Sequence, residues 1–239
     1  MLKIVMFLFL FSSISSRADL TIYTSELPPY VMNNGESGIA VDILNELFLR
    51  SKIKAELLLT PNARAIHQAQ ISLSSCAFPI QRSQKRESEF SWIGPIFISQ
   101  SAIFTLENSK VDITVLDDVG QAVIGVLLGS SDITYLKNRG LQVEEAHNEI
   151  LNARKLRSKR FKYWASDSLA APFLAGRTGV SIRKKIIFRK SLRALACNKN
   201  LDPKIVKVMN DVLTRMYKDG TIERIRNKYL KTVAYHSNK

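Results

Sequence analysis

The chain has 239 residues, with 35 Lys and Arg against 21 Asp and Glu, a formal charge of +14, and 46% hydrophobic residues. That length holds one large domain or two lobes of roughly 100 residues, each able to bury a core. With only 10 Gly, 7 Pro and two Cys, the composition excludes a disordered chain, a collagen-like repeat and a cysteine-dense miniature scaffold.

The first residues give the positive charge a location. Lys3 precedes an apolar run over 4–11 and a small, polar stretch over 12–17, and Ser16 and Ala18 suit a cleavage site before Asp19. A short charged head, a brief apolar segment and small residues at the cut predict a secretory signal peptide over 1–18. The run is too short to cross a bilayer as a helix. No Cys lies near the cut to carry a lipid anchor, so the expected product is a soluble, exported protein of the periplasm. Cleavage removes only Lys3 and Arg17 among the cations, so the basicity belongs to the mature chain.

In an oxidising compartment Cys76 and Cys197 either pair or remain two buried thiols; their spacing in sequence does not set a Cα separation. His67, His147 and His236 are scattered and form no ligand cluster, so neither a metal nor a cofactor is expected.

In chain order, 20–23 alternates as a first strand, and Pro28-Pro29 turns it into a loop. Residues 38–50 carry Ile39, Ile43, Leu44, Leu47 and Phe48 at helical spacing. A strand over 55–59, a short helix over 63–69 and a strand over 72–80 follow. This strand–helix alternation predicts an α/β fold with parallel sheet. A second series comprises a strand over 102–106 after Gly94-Pro95, strands over 122–126 and 162–166, and helices from 132 and 167. A strand over 192–197 precedes a helix opened by Asp202-Pro203, an N-cap followed by proline at the first position. Gly220 closes that helix and Thr221 caps a last one.

Ligands of open α/β sheets settle beyond the carboxyl ends of the strands. The loops there hold Glu26 and Tyr30, then Arg64, then Arg82 and Arg86, then Gly129-Ser130-Ser131, and finally Asp167. Ser130 and Ser131 either cap a helix or offer hydroxyls and N–H groups to an anion. An arginine opposite them would grip the same carboxylate with its fork. Asp167 either caps the next helix or balances an ammonium. Tyr30 is either core or a ligand platform, and Arg82 belongs either to a solvated face or to the cleft. No G-x-S-x-G, H-E-x-x-H or phosphate loop is present, so the pattern is that of a binder with no catalytic residues.

These segments, in this order, resemble the bacterial extracellular solute-binding proteins of family 3, which include periplasmic amino-acid receptors of ABC importers. Gly38 to Leu44 (GIAVDIL) is similar to the family's helix opening, and Arg82 to Pro95 (RSQKRESEFSWIGP) to its R-T-P-E-R-E-x-x-F-x-W-V-G-P stretch. Ile124 to Ser131 (IGVLLGSS) resembles its anion loop, and Leu213 to Leu230 (LTRMYKDGTIERIRNKYL) its closing helix pair. The resemblance implies a two-lobed, type II periplasmic-binding-protein-like fold, each lobe a mostly parallel sheet flanked by helices, with two hinge crossovers. Lobe 1 would be 19–97 plus 190–239, and lobe 2 would be 98–189. It assigns Arg86 to the ligand carboxylate, Ser130 and Ser131 to the anion loop, Asp167 to the α-amino group and a place near Tyr30 to the aromatic. Three departures stand out: Phe78-Pro79-Ile80 replaces a polar S-x-[ST], Lys159-Arg160-Phe161-Lys162 replaces G-R-[IV]-D, and Pro61-Asn62-Ala63-Arg64 lacks the tryptophan of P-W-A-R.

The expected function is capture of a small carboxylate-bearing solute, an amino acid or a relative, for an ABC permease or a membrane sensor, by a monomer with no nucleic-acid partner. The alternatives are a dehydratase-like enzyme on the same scaffold, with Glu26 or Asp167 as its acid or base, and a sensory module without transport. The basic runs over 154–162 and 183–193 are expected to lie away from the cleft, as a solvated surface or as a face for anionic membrane.

Overall fold

The structure, a computed structural model, describes residues 19–237, with side chains described to residue 229. The expected signal peptide lies outside the described residues. The first half-sheet is built from β1 (Leu20–Thr24), α1 (Ile39–Ser51), β2 (Ala55–Leu59), α2 (Asn62–Ile71) and β3 (Ser75–Gln81). β2, β1 and β3 run parallel. A single turn, α3 (Gln84–Glu87), leads into β4 (Phe90–Leu106). The second half-sheet follows as β5 (Ile124–Leu127), α4 (Ser131–Lys137), β6 (Val143–Ala146), α5 (Glu149–Arg157), β7 (Tyr163–Asp167) and α6 (Ala170–Gly176). β8 (Ile182–Asn198) returns, and α7 (Pro203–Lys218) and α8 (Thr221–Ser237) complete the chain.

The strand order is β2-β1-β3-β8-β4-β7-β5-β6. β4 and β8 are 17 residues each and pair antiparallel from Phe90↔Asn198 to Leu106↔Ile182. This ribbon passes through both halves of the molecule and supplies both crossings between them. β3 joins β8 only over Arg193 to Cys197, and β7 joins β4 over Ser101 to Phe104, both antiparallel. The outer strands are parallel as expected, whereas the centre is an antiparallel ribbon.

Differences from the sequence expectation have local causes. The stretch over 90–101 is continuous strand despite Gly94-Pro95, because register shifts between Ile93 and Phe97 absorb the proline's missing donor. β8 begins ten residues before the expected strand, its alternation hidden among lysines and arginines. Ile186 and Phe188 of that segment pack on the buried cluster around Ile103, Ile124 and Leu136. β6 and α5 carried no hydrophobic signal, and α5 buries only Glu149, Asn152, Ala153 and Leu156.

α1 and α7 share the largest core cluster with Ile22, Phe78, Ile93 and Leu195, all essentially inaccessible. Cys76 and Cys197 are register partners on β3 and β8 and form a disulfide, which settles the alternative left open above. Gly38 opens α1 at φ 126°, where a Cβ would sit 2.3 Å from the Tyr30 carbonyl oxygen. The Gly38 N–H donates to Tyr229 Oη at 3.2 Å, and that hydroxyl donates to Asp42 at 2.9 Å. Two motifs nearly 190 residues apart thereby become one contact, fixing α8 against the start of α1.

Candidate functional site

The carboxyl ends of β1, β3, β5 and β7 converge on a cavity of about 30 Å³ between the two halves, room for roughly two water centres. Asn62, Gln81 and Arg86 line it from one side, Gly129, Ser130 and Asp167 from the other. The halves meet directly here. Arg86 Nη2 donates to the Gly129 carbonyl at 2.7 Å, and Asn62 Nδ2 to that of Leu128 at 3.1 Å. At the rim Arg177 pairs with Glu26 at 3.1 Å.

Ser130 is the N-cap of α4, its Oγ accepting from Asp132 N–H at 3.1 Å. Both Ser130 and Ser131 hydroxyls donate to Gln81 Oε1, at 3.2 and 3.0 Å. The Gln81 amide nitrogen faces Ser101 and Ser191 oxygens at 3.3 and 3.2 Å. This side chain, last on β3 and 4% exposed, therefore ties the anion loop to the central ribbon. Asp132, equally buried, accepts from Ser101 Oγ at 2.7 Å and from Arg189 Nη1 at 3.0 Å.

Arg86 donates to two carbonyls, Gly129 and, at 3.4 Å, Gln81; among the described residues no carboxylate lies within ion-pair distance of it. Burial pushes its pKa down from the usual guanidinium value. Glu89 and Asp132 lie near enough to offset part of its charge without pairing with it.

Asp167 ends β7. Its Oδ1 accepts from the Leu169 and Ala170 N–H groups at 3.0 and 3.1 Å, while Oδ2 is buried with no hydrogen-bond partner among the described residues. Arg193 Nη2 stands 3.9 Å from Oδ2. Burial raises the Asp167 pKa, opposed by the Arg193 charge, the two N–H groups and the Tyr30 hydroxyl directed at it. Tyr30 lies beside Asp167, raised well above the usual phenol value by burial and then by that carboxylate. Its ring is 4% exposed and stacks on Phe97 at 4.4 Å between centroids. Glu149 lies beneath, accepting from Ser166, Trp164 and Asn152 at 2.8, 2.9 and 3.0 Å; burial raises its pKa despite these donors.

The structure thus brings Arg86, Ser130, Ser131, Asp167 and Tyr30 to one region. Glu26 sits at the rim in its pair with Arg177. Arg64 is exposed on α2 outside the cavity wall. Arg82 turns outward, held by Glu87 at 2.6 Å and lying over the Trp92 ring at 5.2 Å. The basic run over 183–193 was expected away from the cleft, but Arg193 lines the cavity and Arg189 pairs with Asp132 of its wall. They sit where β8 crosses between the halves, and within a run of cations nothing in sequence distinguishes them. Gln81 carried only the signal of ending a strand. Among the described residues no group of three or more His, Cys, Asp or Glu is placed to hold a metal ion, and no helix is long and apolar enough to cross a membrane.

No curated protein matches the sequence. Solved structures match its fold closely at low identity. The GluR0 ligand-binding core from Nostoc punctiforme, in complex with L-glutamate, is 22% identical with a TM-score of 0.76, over 87% of this chain and 98% of that one. An ancestral arginine-binding protein bound to glutamine is 21% identical at 0.78, over 89% and 97%. A histidine kinase sensor domain similar to periplasmic binding proteins is 17% identical at 0.81, over 90% and 97%. These likenesses give the two-lobed type II fold. The family model for bacterial extracellular solute-binding proteins, family 3, matches residues 20–232, and the chain belongs to that family of periplasmic binders.

Proposed function

We propose that the protein captures a small carboxylate-bearing solute between lobe 1 (19–97 with 190–239) and lobe 2 (98–189) and delivers it to an ABC permease. The observation that carries this reading is Arg86, a half-buried guanidinium in the cavity wall whose hydrogen-bond partners among the described residues are carbonyls. The ligand carboxylate completes it, with Ser130 in the same cavity wall. Glutamate and glutamine in the related structures are solutes of the same class. Closure of the lobes about β4 and β8 on the solute is the signal that the permease reads.

A thermal-shift screen of amino acids, hydroxy acids and small carboxylates tests the proposal. A ligand at 100 times its Kd adds about 2.7 kcal/mol of stability, a rise of roughly 5–10 °C for a chain of this size. Recovery of the ligand unchanged after incubation separates binding from a dehydratase-like reaction. If no carboxylate shifts the melting temperature, the proposal fails.

The exposed cations that remain outside the cleft, among them Arg154, Lys159, Lys184 and Lys190, support a second contact, of a monomeric protein with anionic membrane surface. Salt-sensitive co-sedimentation with phosphatidylglycerol vesicles is the expected result; no binding at low salt refutes it.

A further inference from the structure

Resting on the carboxylate-capture reading, we infer that the ligand carries a hydroxyl, not an ammonium, beside its carboxylate: the cleft is built for a short 2-hydroxy acid. The observation is the gap between Arg193 and Asp167. Arg193 is pinned at two of its nitrogens, Nε donating to Ser99 Oγ at 3.0 Å and Nη1 to the Pro79 carbonyl at 3.1 Å. Its third nitrogen, Nη2, faces Asp167 Oδ2 across 3.9 Å, too far for a hydrogen bond. Oδ2 is buried with no hydrogen-bond partner among the described residues. The two side chains are 12% and 2% exposed, and both residues line the same cavity as Arg86.

Two donors, Arg193 Nη2 and the Tyr30 hydroxyl, therefore face one acceptor, Asp167 Oδ2, around a space that a single oxygen can bridge. A hydroxyl does so completely, accepting from Nη2 and donating to Oδ2. An ammonium has no lone pair. It would satisfy Oδ2 but leave Nη2 unmade and bring a second cation against a guanidinium in a desolvated site, which is costly. The Pro79 carbonyl and Ser99 hydroxyl oxygens, acceptors that an ammonium could use, are already taken by the protein's own guanidinium. Phe78-Pro79-Ile80, in place of a polar edge, leaves the Pro79 carbonyl for Arg193. Arg193 faces Asp167, Arg189 pairs with Asp132, and Glu149 in the same wall is held by Ser166, Trp164 and Asn152.

Calorimetric titration of the purified mature protein with matched trios decides the matter: lactate, alanine and propionate, then malate, aspartate and succinate. At least one hydroxy acid is expected to bind tenfold or more tightly than both its amino and its deoxy counterpart. An amino acid preferred over its hydroxy partner overturns the inference and leaves carboxylate capture standing, as does a deoxy acid that binds equally well. Binding by no member of either trio overturns the inference, and the thermal-shift panel then decides carboxylate capture by itself. Arg193→Gln, checked for an intact melting transition, is expected to bring the hydroxy and amino partners within about threefold of each other. Undiminished preference in that variant also refutes the role given to Arg193. If the variant does not fold, the wild-type trios remain decisive.

Discussion

Arg86 has the most exposed fate of any single residue in the cleft. Its guanidinium is half-buried, and its hydrogen-bond partners among the described residues are carbonyl oxygens, so it keeps N–H groups for an anion. Arg86→Ala is expected to cost about 2–5 kcal/mol of ligand binding, thirtyfold or more in Kd by calorimetry. Unchanged affinity would remove Arg86 from the site. Gly129 matters for a different reason. Its φ is +80°, and an added Cβ would lie 2.9 Å from Asn62 Nδ2 and 3.1 Å from the Ala63 Cα, both on the opposite side of the cleft. Gly129→Ala combines a left-handed backbone with that collision, a cost of about 1–3 kcal/mol that falls on the closed arrangement. Weaker ligand affinity and a smaller ligand-induced decrease in radius of gyration by small-angle scattering are expected; identical values would contradict this account.

At the scale of elements, the β4–β8 ribbon fixes where the halves can move and the Cys76–Cys197 bridge fixes where they cannot. The bridge joins directly opposed residues at the inner strands of one half. Cys76→Ala with Cys197→Ala is expected to lower stability by about 2–4 kcal/mol, read as a shift in the denaturant midpoint without loss of ligand binding. The outer strands and amphipathic helices of this architecture were legible because periodicity is local. Ile39, Ile43 and Leu47 mark α1 within nine residues. The ribbon was only half legible, since β8 hides its apolar face among Arg183, Lys184 and Lys185. The cleft divides the same way. Ser130 and Asp167 announce themselves at strand ends, whereas Gln81 acquires its meaning from Ser130, Ser131 and Ser191, residues 49 to 110 positions away. Arg193 depends likewise on Ser99 and Pro79. Tertiary contact of that kind has no period to read.

For the whole molecule, pH response is set by carboxylates shifted in opposite directions. Asp219 is held down to about 2 by Thr221 and Arg50, so its contribution is present above the unfolded pKa and disappears as pH falls through 2. Glu149 is raised by burial. Between its unfolded value, about 4.3, and its higher folded value the native state holds the extra proton, so its contribution to stability declines as pH rises through that window. Glu149→Gln removes this second slope. Its denaturant midpoint relative to wild type is expected to rise between pH 4 and the folded pKa; a difference independent of pH would show that Glu149 does not titrate in folding.

The bridge between Cys76 and Cys197 also changes what counts as one molecule. Everything from residue 77 to 196, including all of β4 to β7 and most of β8, lies inside a single covalent ring. A protease that cuts an exposed loop of the second half, such as that around Asn108 or Lys110, leaves no free fragment. Such a nicked protein runs as one band without reductant and as two with it, and both walls of the cleft remain tethered through the cut.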